Sequence, residues 1–253
     1  SRPILIPVPG AELPGVVTFR DLDDVNAMLA AAQKGGNAVV IGGGLLGLEA
    51  AAGLAANGMK TTVVHLMPTL MERQLDPNAA YLLQKAIEKR GIDVLTSANT
   101  NAILGDGKVA SGRLEDGRTL PADLVVMAVG IRPNTALARD AGLNVNRGIV
   151  VDDLLRTSDE NIFAVGECVE HRGQCYGLVA PLYDMAKTLG ASLAGEQAKG
   201  YSGSATSTKL KVTGVDLFSA GDFSEGDEQD EIVLRDPLRG VYKRVVLREN
   251  RIV

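Results

Sequence analysis

The spacing of apolar residues between positions 37 and 65 predicts a strand, a helix and a second strand. The apolar run 39–41 is typical of a strand buried in a parallel sheet. An alanine-rich helix is predicted at 45–57, ending before Gly58, and a further strand is predicted at 61–65. This order predicts an α/β fold that contains a βαβ unit, with a parallel sheet that carries helices on both faces.

Two more helices are indicated by apolar residues three and four positions apart. The first spans 21–34 and begins among three aspartates, where the helix dipole favours negative charge. The second spans 76–90, with Asp76 as its N-cap and Pro77 as its first residue. The stripe expected to be buried consists of Tyr81, Leu82, Ala86 and Ile87. Residues 1–20 are rich in proline and glycine and are expected to form a connection.

The apolar period changes to two after residue 99, which predicts an antiparallel meander over 99–126. An apolar strand is predicted at 124–129 and a helix at 181–194. Shorter strands are expected at 209–212, 215–219, 232–235 and 241–247. The acidic run 222–231 is expected to be a solvated loop, with docking of a partner as the alternative.

Composition narrows the classes of protein that fit this pattern. The chain has 253 residues, 45% of them hydrophobic, but no apolar run long enough to cross a membrane. Its net charge of −5 argues against a nucleic-acid-binding surface. The only cysteines, Cys168 and Cys175, have neither metal-site nor redox-motif spacing, which indicates reduced thiols in a cytoplasmic protein.

A glycine-rich turn joins the first strand to the alanine-rich helix. Gly42, Gly44 and Gly47 fit the pattern G-x-G-x-x-G. Such glycines allow a tight turn, close approach of the backbone to a pyrophosphate, and close packing of helix on strand. The helix N-terminus then offers unpaired N–H groups to the phosphates. The sequence therefore predicts a dinucleotide site here, the alternative being a turn whose glycines serve packing alone.

Four segments, 42–49, 124–134, 157–167 and 177–184, occur in the order found in flavoproteins with two dinucleotide-binding domains. On these motifs the chain resembles the pyridine-nucleotide:flavin oxidoreductases. Within that family, the sequences of segments 65–76, 166–168 and 173–182 resemble those of one branch, the large subunits of NAD(P)H-dependent assimilatory nitrite reductases. Ferredoxin, rubredoxin and dioxygenase reductases are the neighbouring branches.

The resemblance implies roles for particular residues. The expected nucleotide-binding residues are Gly42, Gly43, Gly44, Leu45, Leu46, Gly47, His65, Leu66, Arg73, Val129 and Gly130. Gly166, Glu167 and Val179 are expected to bind FAD, although the family usually has aspartate where Glu167 stands. Glu49 is expected to act in catalysis by orienting the carboxamide of the nicotinamide. The alternatives are a surface glutamate at 167 and, at 49, a carboxylate stabilised by the helix dipole alone.

The resemblance also implies a domain plan for a Rossmann-like fold. Residues 1–23 are expected to be the end of a first FAD-domain segment, and 24–130 the NAD(P)-binding domain with its meander. Residues 131–205 are expected to be a second FAD-domain segment, and 206–253 the start of an α+β interface domain. We expect the chain to be truncated at both ends. The isolated fragment is then expected to be colourless and inactive, because its FAD site is incomplete.

The expected reaction is hydride transfer from NADH to FAD, followed by reduction of nitrite to ammonia in nitrate assimilation. Iron–sulfur and sirohaem centres are expected only further downstream in the parent chain. The expected partners are NADH and those downstream redox domains, and a homodimer is compatible with the resemblance; nucleic acid and membrane are not expected. The alternatives are a ferredoxin- or rubredoxin-type NADH reductase and a dinucleotide-binding module without turnover.

Selectivity between NADH and NADPH is expected to depend on residue 65. NAD-selective sites carry a carboxylate at the end of the second strand, which binds the ribose diol and repels a 2′-phosphate. His65 stands at that place, so an imidazole replaces the repulsive carboxylate. The sequence therefore predicts a modest preference for NADH.

Overall fold

A computed structural model describes residues 1–196, 199–221 and 229–253. Its strands are β1 (Arg2–Pro3), β2 (Val16–Thr18), β3 (Asn37–Ile41), β4 (Lys60–Val64), β5 (Asp93–Leu95), β6 (Thr100–Leu104), β7 (Ser111–Leu114), β8 (Thr119–Pro121), β9 (Leu124–Met127), β10 (Ile131–Arg132), β11 (Ile149–Val151), β12 (Val169–His171), β13 (Ser207–Lys209), β14 (Phe218–Ala220), β15 (Asp230–Asp236), β16 (Val241–Arg248) and β17 (Arg251–Ile252). Its helices are α1 (Leu22–Ala32), α2 (Leu45–Ala56), α3 (Pro77–Glu88), α4 (Ala136–Asp140) and α5 (Val179–Leu193). Most of the predicted acidic loop, 222–228, lies outside the described residues.

Contacts divide the chain into two units. One contains Pro3–Gly130 and Ser207–Val253, and the other contains Ser1–Arg2 and Ile131–Thr206. The predicted division at residues 23, 130 and 205 remains a prediction, because contacts report which segments touch and not which domain a segment derives from. No helix in the described part of the chain is long and apolar enough to cross a membrane.

The larger unit is built on a five-stranded sheet with the order β2-β9-β3-β4-β5. All of its neighbouring strands are parallel. Val39 pairs with Thr62 across β3 and β4, as the predicted βαβ unit requires. The predicted parallel sheet and the separate antiparallel meander β6-β7-β8 are both confirmed.

The two faces of this sheet are covered by different structures. Val40 and Val63 face a core that contains residues of α1, α2 and α3. Val39 and Val125 face a second core formed with the meander, which includes Leu114. The expectation of helices on both faces is therefore wrong. Successive right-handed crossovers that advance in one direction across a sheet place their helices on the same face.

The amino-terminal residues are not a connection throughout, as the sequence had suggested. Val16–Thr18 forms β2 at the edge of the main sheet, where Val16 pairs with Val125 of β9. Three residues between proline-rich and polar stretches are too few to show a period in the sequence.

Helix α3 starts where it was predicted but buries only part of the predicted stripe. The Asp76 side chain accepts hydrogen bonds from the backbone N–H groups of Asn78 and Ala79, which confirms the N-cap. Residues Ala80, Leu83 and Ile87 are buried, whereas Tyr81 is 55% exposed. The prediction was correct at Ile87 and wrong at Tyr81, because apolar residues occupy two adjacent faces of this helix and the tertiary contacts select one.

The carboxyl-terminal segment packs on the helix layer of the same unit. Strands β13 and β14 pair antiparallel, and the turn between them buries Leu210 and Val212 in the core beside α2 and α3. The strands predicted at 209–212 and 215–219 lie instead at 207–209 and 218–220, further from the centre of the hairpin. The buried apolar residues on which the prediction rested belong to the segment between the two strands. Strands β15, β16 and β17 form a separate antiparallel sheet.

The smaller unit contains the parallel pair β11–β12 and helix α5. Its core includes Leu155, Val169 and Met185, all fully buried. Helix α5 begins at Val179, two residues before the predicted start. Cys168 and Cys175 are both free thiols, and burial raises the pKa of Cys175.

Candidate functional site

The glycine-rich turn lies at the carboxyl end of β3, where it leads into α2. Gly42 has φ +118°, and a Cβ there would lie 2.3 Å from the carbonyl oxygen of Ala128. A Cβ on Gly47 would lie 1.9 Å from the carbonyl oxygen of Gly42. Both positions therefore require glycine for the fold itself, one for the turn and one for close packing of helix on strand.

Gly44 requires a different explanation. Its backbone angles are ordinary for any residue, and a Cβ there would meet no atom within 4 Å. The residue is the N-cap of α2 and makes no side-chain hydrogen bond to the first turn of the helix. A glycine that the protein does not need for packing, beside uncapped helical N–H groups, fits a surface that a pyrophosphate approaches closely.

Gly43 is held by hydrogen bonds on both sides of its backbone. Its N–H donates to Nδ1 of His65 over 3.0 Å. Its carbonyl oxygen accepts the backbone N–H of Met71, also over 3.0 Å. These bonds attach the end of β4 and the loop after it to the glycine turn.

His65 is buried, and its ring takes part in internal contacts at both nitrogens. Besides Gly43 at Nδ1, it contacts Glu72, with Nε2 lying 3.0 Å from Oε2 of the carboxylate. Because Nδ1 accepts a hydrogen bond from the Gly43 N–H, the ring N–H of neutral His65 is at Nε2 and donates to Glu72. The imidazole therefore holds the turn and the loop together. Both of its nitrogens are engaged, so neither is free to bind a ribose hydroxyl as the sequence had suggested.

The other expected nucleotide-binding residues lie around the same edge of the sheet. Leu45 and Leu46 begin α2, and Leu46 is 39% exposed. Val129 and Gly130 lie two and three residues after the end of β9, beside the close approach of Gly42 to Ala128. Leu66 and Arg73 are exposed in the loop that follows β4.

Glu49 lies in the second turn of α2 and not in the first, where the dipole argument had placed it. Its side chain is partly buried, and Oε1 accepts the backbone N–H of Lys211 over 3.1 Å. The carboxylate is thus held by the segment after β13. This contact joins parts of the chain that are far apart in sequence, so periodicity and motifs gave no signal for it.

The expected flavin-binding residues all belong to the smaller unit. Gly166 has φ +102° and open space where a Cβ would be. Glu167 is partly buried, and its carboxylate accepts a hydrogen bond from the hydroxyl of Ser1. Val179 is 65% exposed at the start of α5, whose N-cap residue makes no side-chain hydrogen bond to the helix. An open turn and an uncapped helix N-terminus are compatible with the binding of a phosphorylated cofactor.

A second cluster in the smaller unit is formed by Asp153, His171 and Arg172. The carboxylate of Asp153 contacts Nε2 of His171 at 2.9 Å and the guanidinium of Arg172 at 2.6 Å. Hydrogen bonds from Arg172 and His171 lower the pKa of Asp153 to about 2. The ring of His171 also packs on Tyr201, with centroids 4.9 Å apart. These contacts tie the turn after β12 to the segment at 201, so the cluster is structural. Among the described residues, no group of His, Cys, Asp and Glu is arranged to hold a metal ion.

A parallel sheet with a glycine turn at the carboxyl end of one strand, followed by an uncapped helix N-terminus, is typical of dinucleotide-binding α/β proteins. Comparison with known families specifies this class further. Residues 1–186 match the family model of the pyridine nucleotide-disulphide oxidoreductases. The chain belongs to this family, which confirms the predicted resemblance and fold class. Residues 207–253 match the model of the rubredoxin NAD+ reductase C-terminal domain.

Individual relatives agree with the branch that the sequence indicated. The chain is 54% identical over its whole length to the NAD(P)H nitrite reductase of Bacillus subtilis (strain 168), of which it covers 31%. It is 45% identical to the assimilatory nitrate reductase electron transfer subunit of the same organism, covering 33% of it. Among solved structures, a ferredoxin reductase from Rhodopseudomonas palustris matches 100% of the chain with a TM-score of 0.89 and 30% identity, and 63% of that structure is covered. The chain therefore spans about a third of the length of these curated relatives.

Sequence reasoning missed two groups that belong to this site. The N–H of Lys211 had no sequence signal, since any residue except proline supplies one. Glu72 had a weak signal, because it is an acid within the loop that follows the second strand of the βαβ unit. The motif directs attention to the residue that follows that strand, seven positions before Glu72.

Proposed function

We propose that the larger unit binds a nicotinamide dinucleotide on the glycine turn, with the pyrophosphate over Gly44 and the N-terminus of α2. The open space at Gly44 beside an uncapped helix carries this proposal. Val129 and Gly130 border the other side of the turn. Glu49 would orient the nicotinamide carboxamide, and its bond to Lys211 would hold it in a fixed position.

The chain would serve as the NADH-oxidising portion of a nitrite reductase. The identity of 54% with the Bacillus protein supports this assignment. FAD, when bound, supplies the acceptor for the hydride. In that arrangement Gly166 and the start of α5 would hold part of the cofactor, and Glu167 would bind a hydroxyl of its ribityl chain in place of the usual aspartate. Iron–sulfur and sirohaem centres would belong to other parts of the parent chain.

A ferredoxin- or rubredoxin-type reductase is the second candidate. The match of residues 207–253 to a rubredoxin reductase domain and the likeness to a ferredoxin reductase favour it. Both candidates share the same nucleotide-binding step. A dinucleotide-binding module without turnover is distinguished from them by hydride transfer in the full-length protein, which such a module lacks.

The variant Gly44→Ala tests the nucleotide site with little effect on folding. A methyl group at Gly44 meets no protein atom but occupies the space proposed for a pyrophosphate. We expect NADH binding, measured by nucleotide fluorescence, to weaken at least about tenfold while the melting temperature stays near the wild-type value. Gly53→Ala, on the exposed side of the same helix, is the matched control and should bind as wild type. Unchanged binding in Gly44→Ala would reject the site.

We also propose that these 253 residues alone bind NADH but do not retain FAD, since the sequence has one glycine-rich phosphate turn of this kind. The purified chain should be colourless and show no NADH-dependent dye reduction. Flavin absorbance in the purified protein would contradict this proposal.

A further inference from the structure

We propose that Glu72 is the carboxylate that binds the adenosine ribose and disfavours a 2′-phosphate in this protein. The assignment rests on the proposed nucleotide site at the glycine turn. It changes the expectation from the sequence, in which the acid at the strand end was missing and His65 stood in its place. The acid is supplied instead by the loop that follows β4.

Three contacts place Glu72 beside the glycine turn. Met71, the residue before it, donates its N–H to the carbonyl oxygen of Gly43. Gly43 in turn donates its own N–H to His65, and His65 contacts the Glu72 carboxylate at 3.0 Å. The carboxylate thus lies next to the side chain at the end of β4, which is the place of the ribose-binding acid in NAD-selective sites.

The loop holds Glu72 in a defined position. Leu70 and Met71, the two residues before it, are fully buried. Met71 has φ +52°, a backbone conformation that is unfavourable for a non-glycine residue and persists only where surrounding contacts enforce it. Its carbonyl oxygen accepts the N–H groups of Gln74 and Leu75, which closes the turn around Glu72.

The chemistry of the His65–Glu72 pair leaves the carboxylate, and not the imidazole, for a ligand. Both ring nitrogens of His65 are engaged, and its side chain is 10% exposed. Glu72 is 30% exposed and receives the ring proton at Oε2. A carboxylate has about four acceptor positions, so it can accept both ribose hydroxyls while it holds His65. A 2′-phosphate would bring two negative groups together at this point.

The variant Glu72→Gln separates this role from the structural one. Its amide oxygen can still accept the proton of His65, so the loop keeps its contact while the negative charge is lost. Glu88→Gln is the matched control, because it makes the same change of side chain at the carboxyl end of α3, the end that is further along the chain from Glu72. The probes are ADP-ribose and its 2′-phosphate, which carry the discriminating half of the nucleotide without the nicotinamide. Binding of each probe is measured by calorimetry.

We expect the wild-type chain and Glu88→Gln to bind ADP-ribose at least about tenfold more tightly than its 2′-phosphate. In Glu72→Gln the preference for ADP-ribose over its 2′-phosphate should fall at least about fivefold, mainly because the phosphorylated probe binds more tightly. An unchanged ratio in a folded Glu72→Gln protein would overturn the assignment while leaving the proposed function in place. Tighter binding of the 2′-phosphate by the wild type would also overturn it and would direct attention to Arg73. A wild-type chain that binds neither probe would reject the proposed site and the assignment together.

Discussion

The carboxylate of Glu49 on the nucleotide-binding helix accepts a hydrogen bond from the backbone N–H of Lys211, which lies in the turn between β13 and β14. Leu210 and Val212, on either side of Lys211, are buried in the core beneath the same helix. The residue expected to contact the nicotinamide is therefore fixed by a segment from the other end of the chain.

Loss of the Glu49 carboxylate should destabilise the larger unit. We expect Glu49→Ala to lower the free energy of unfolding by about 1–2 kcal/mol, because the N–H of Lys211 loses its acceptor. Glu49→Gln keeps an acceptor and should lose less. Urea unfolding followed by circular dichroism measures both variants. If Glu49→Ala unfolds like the wild type, the carboxylate contributes nothing to the attachment of this segment.

Two glycines of α2 should respond in opposite ways to alanine. Gly47→Ala places a methyl group 1.9 Å from a backbone oxygen, so the free energy of unfolding should fall by about 1–3 kcal/mol or more. Nucleotide binding should weaken as well. Gly53→Ala meets no atom within 4 Å and should stabilise the helix by about 0.5–1 kcal/mol. Thermal unfolding of the two variants tests the pair. Equal effects of both substitutions would contradict the close packing of helix on strand.

The Asp153 cluster should make the smaller unit sensitive to acid. Arg172 and His171 lower the pKa of Asp153 from 3.8 to about 2. The folded pKa is depressed, so the stabilisation is present above pH 4 and is lost as the pH falls towards 2. In Asp153→Asn, stability should fall less steeply over that interval, and Arg172→Gln should move the loss to higher pH. Acid titrations followed by circular dichroism test this. Parallel curves for wild type and Asp153→Asn would contradict the coupling.

Tyr242 should give the larger unit an alkaline transition. Burial, with the Asp76 carboxylate that accepts its hydroxyl proton at 3.0 Å, raises the pKa of Tyr242 from 10.0 to about 12. A raised folded pKa means that this stabilisation is present below pH 10 and is lost as the pH rises towards 12. Tyr242→Phe should remove that loss and cost about 0.5–1.5 kcal/mol at neutral pH.

Tyr201→Phe is the matched control, since the pKa of Tyr201 is also raised to about 12 but its contacts lie in the smaller unit. Alkaline unfolding of wild type and both variants should show two separable contributions. A wild-type alkaline profile in Tyr242→Phe would show that the contact with Asp76 does not couple to folding.

The elements that follow a local pattern could be predicted from the sequence. The buried run at Val39, the glycine turn and the N-cap at Asp76 each depend on neighbours within a few residues, and each was confirmed. The face that Tyr81 occupies could not be predicted, because two faces of its helix carry apolar residues. The edge strand at Val16 gave no signal either, since its partner β9 supplies the pairing.

The site shows the same division between local and distant information. The motif predicted the glycines, whose conformations follow from their immediate backbone. It did not predict that both nitrogens of His65 are engaged, or that Glu72 reaches the strand end from a loop. Those facts depend on how the loop is anchored by its buried residues and by the left-handed backbone of Met71.

The position of β2 in the sheet has a consequence for synthesis of the protein. β2 leaves the ribosome before β9, the strand it pairs with, and Val16 must wait for Val125 to be translated. At usual rates of elongation the nascent chain waits on the order of ten seconds with this strand unpaired. Pro14 and Gly15 immediately precede β2. Because Pro14 lacks an N–H group, it disfavours extension of the strand by pairing with another nascent chain during that interval. Translation speed, as well as thermodynamic stability, therefore sets how long the side of β2 that pairs with β9 is open to aggregation.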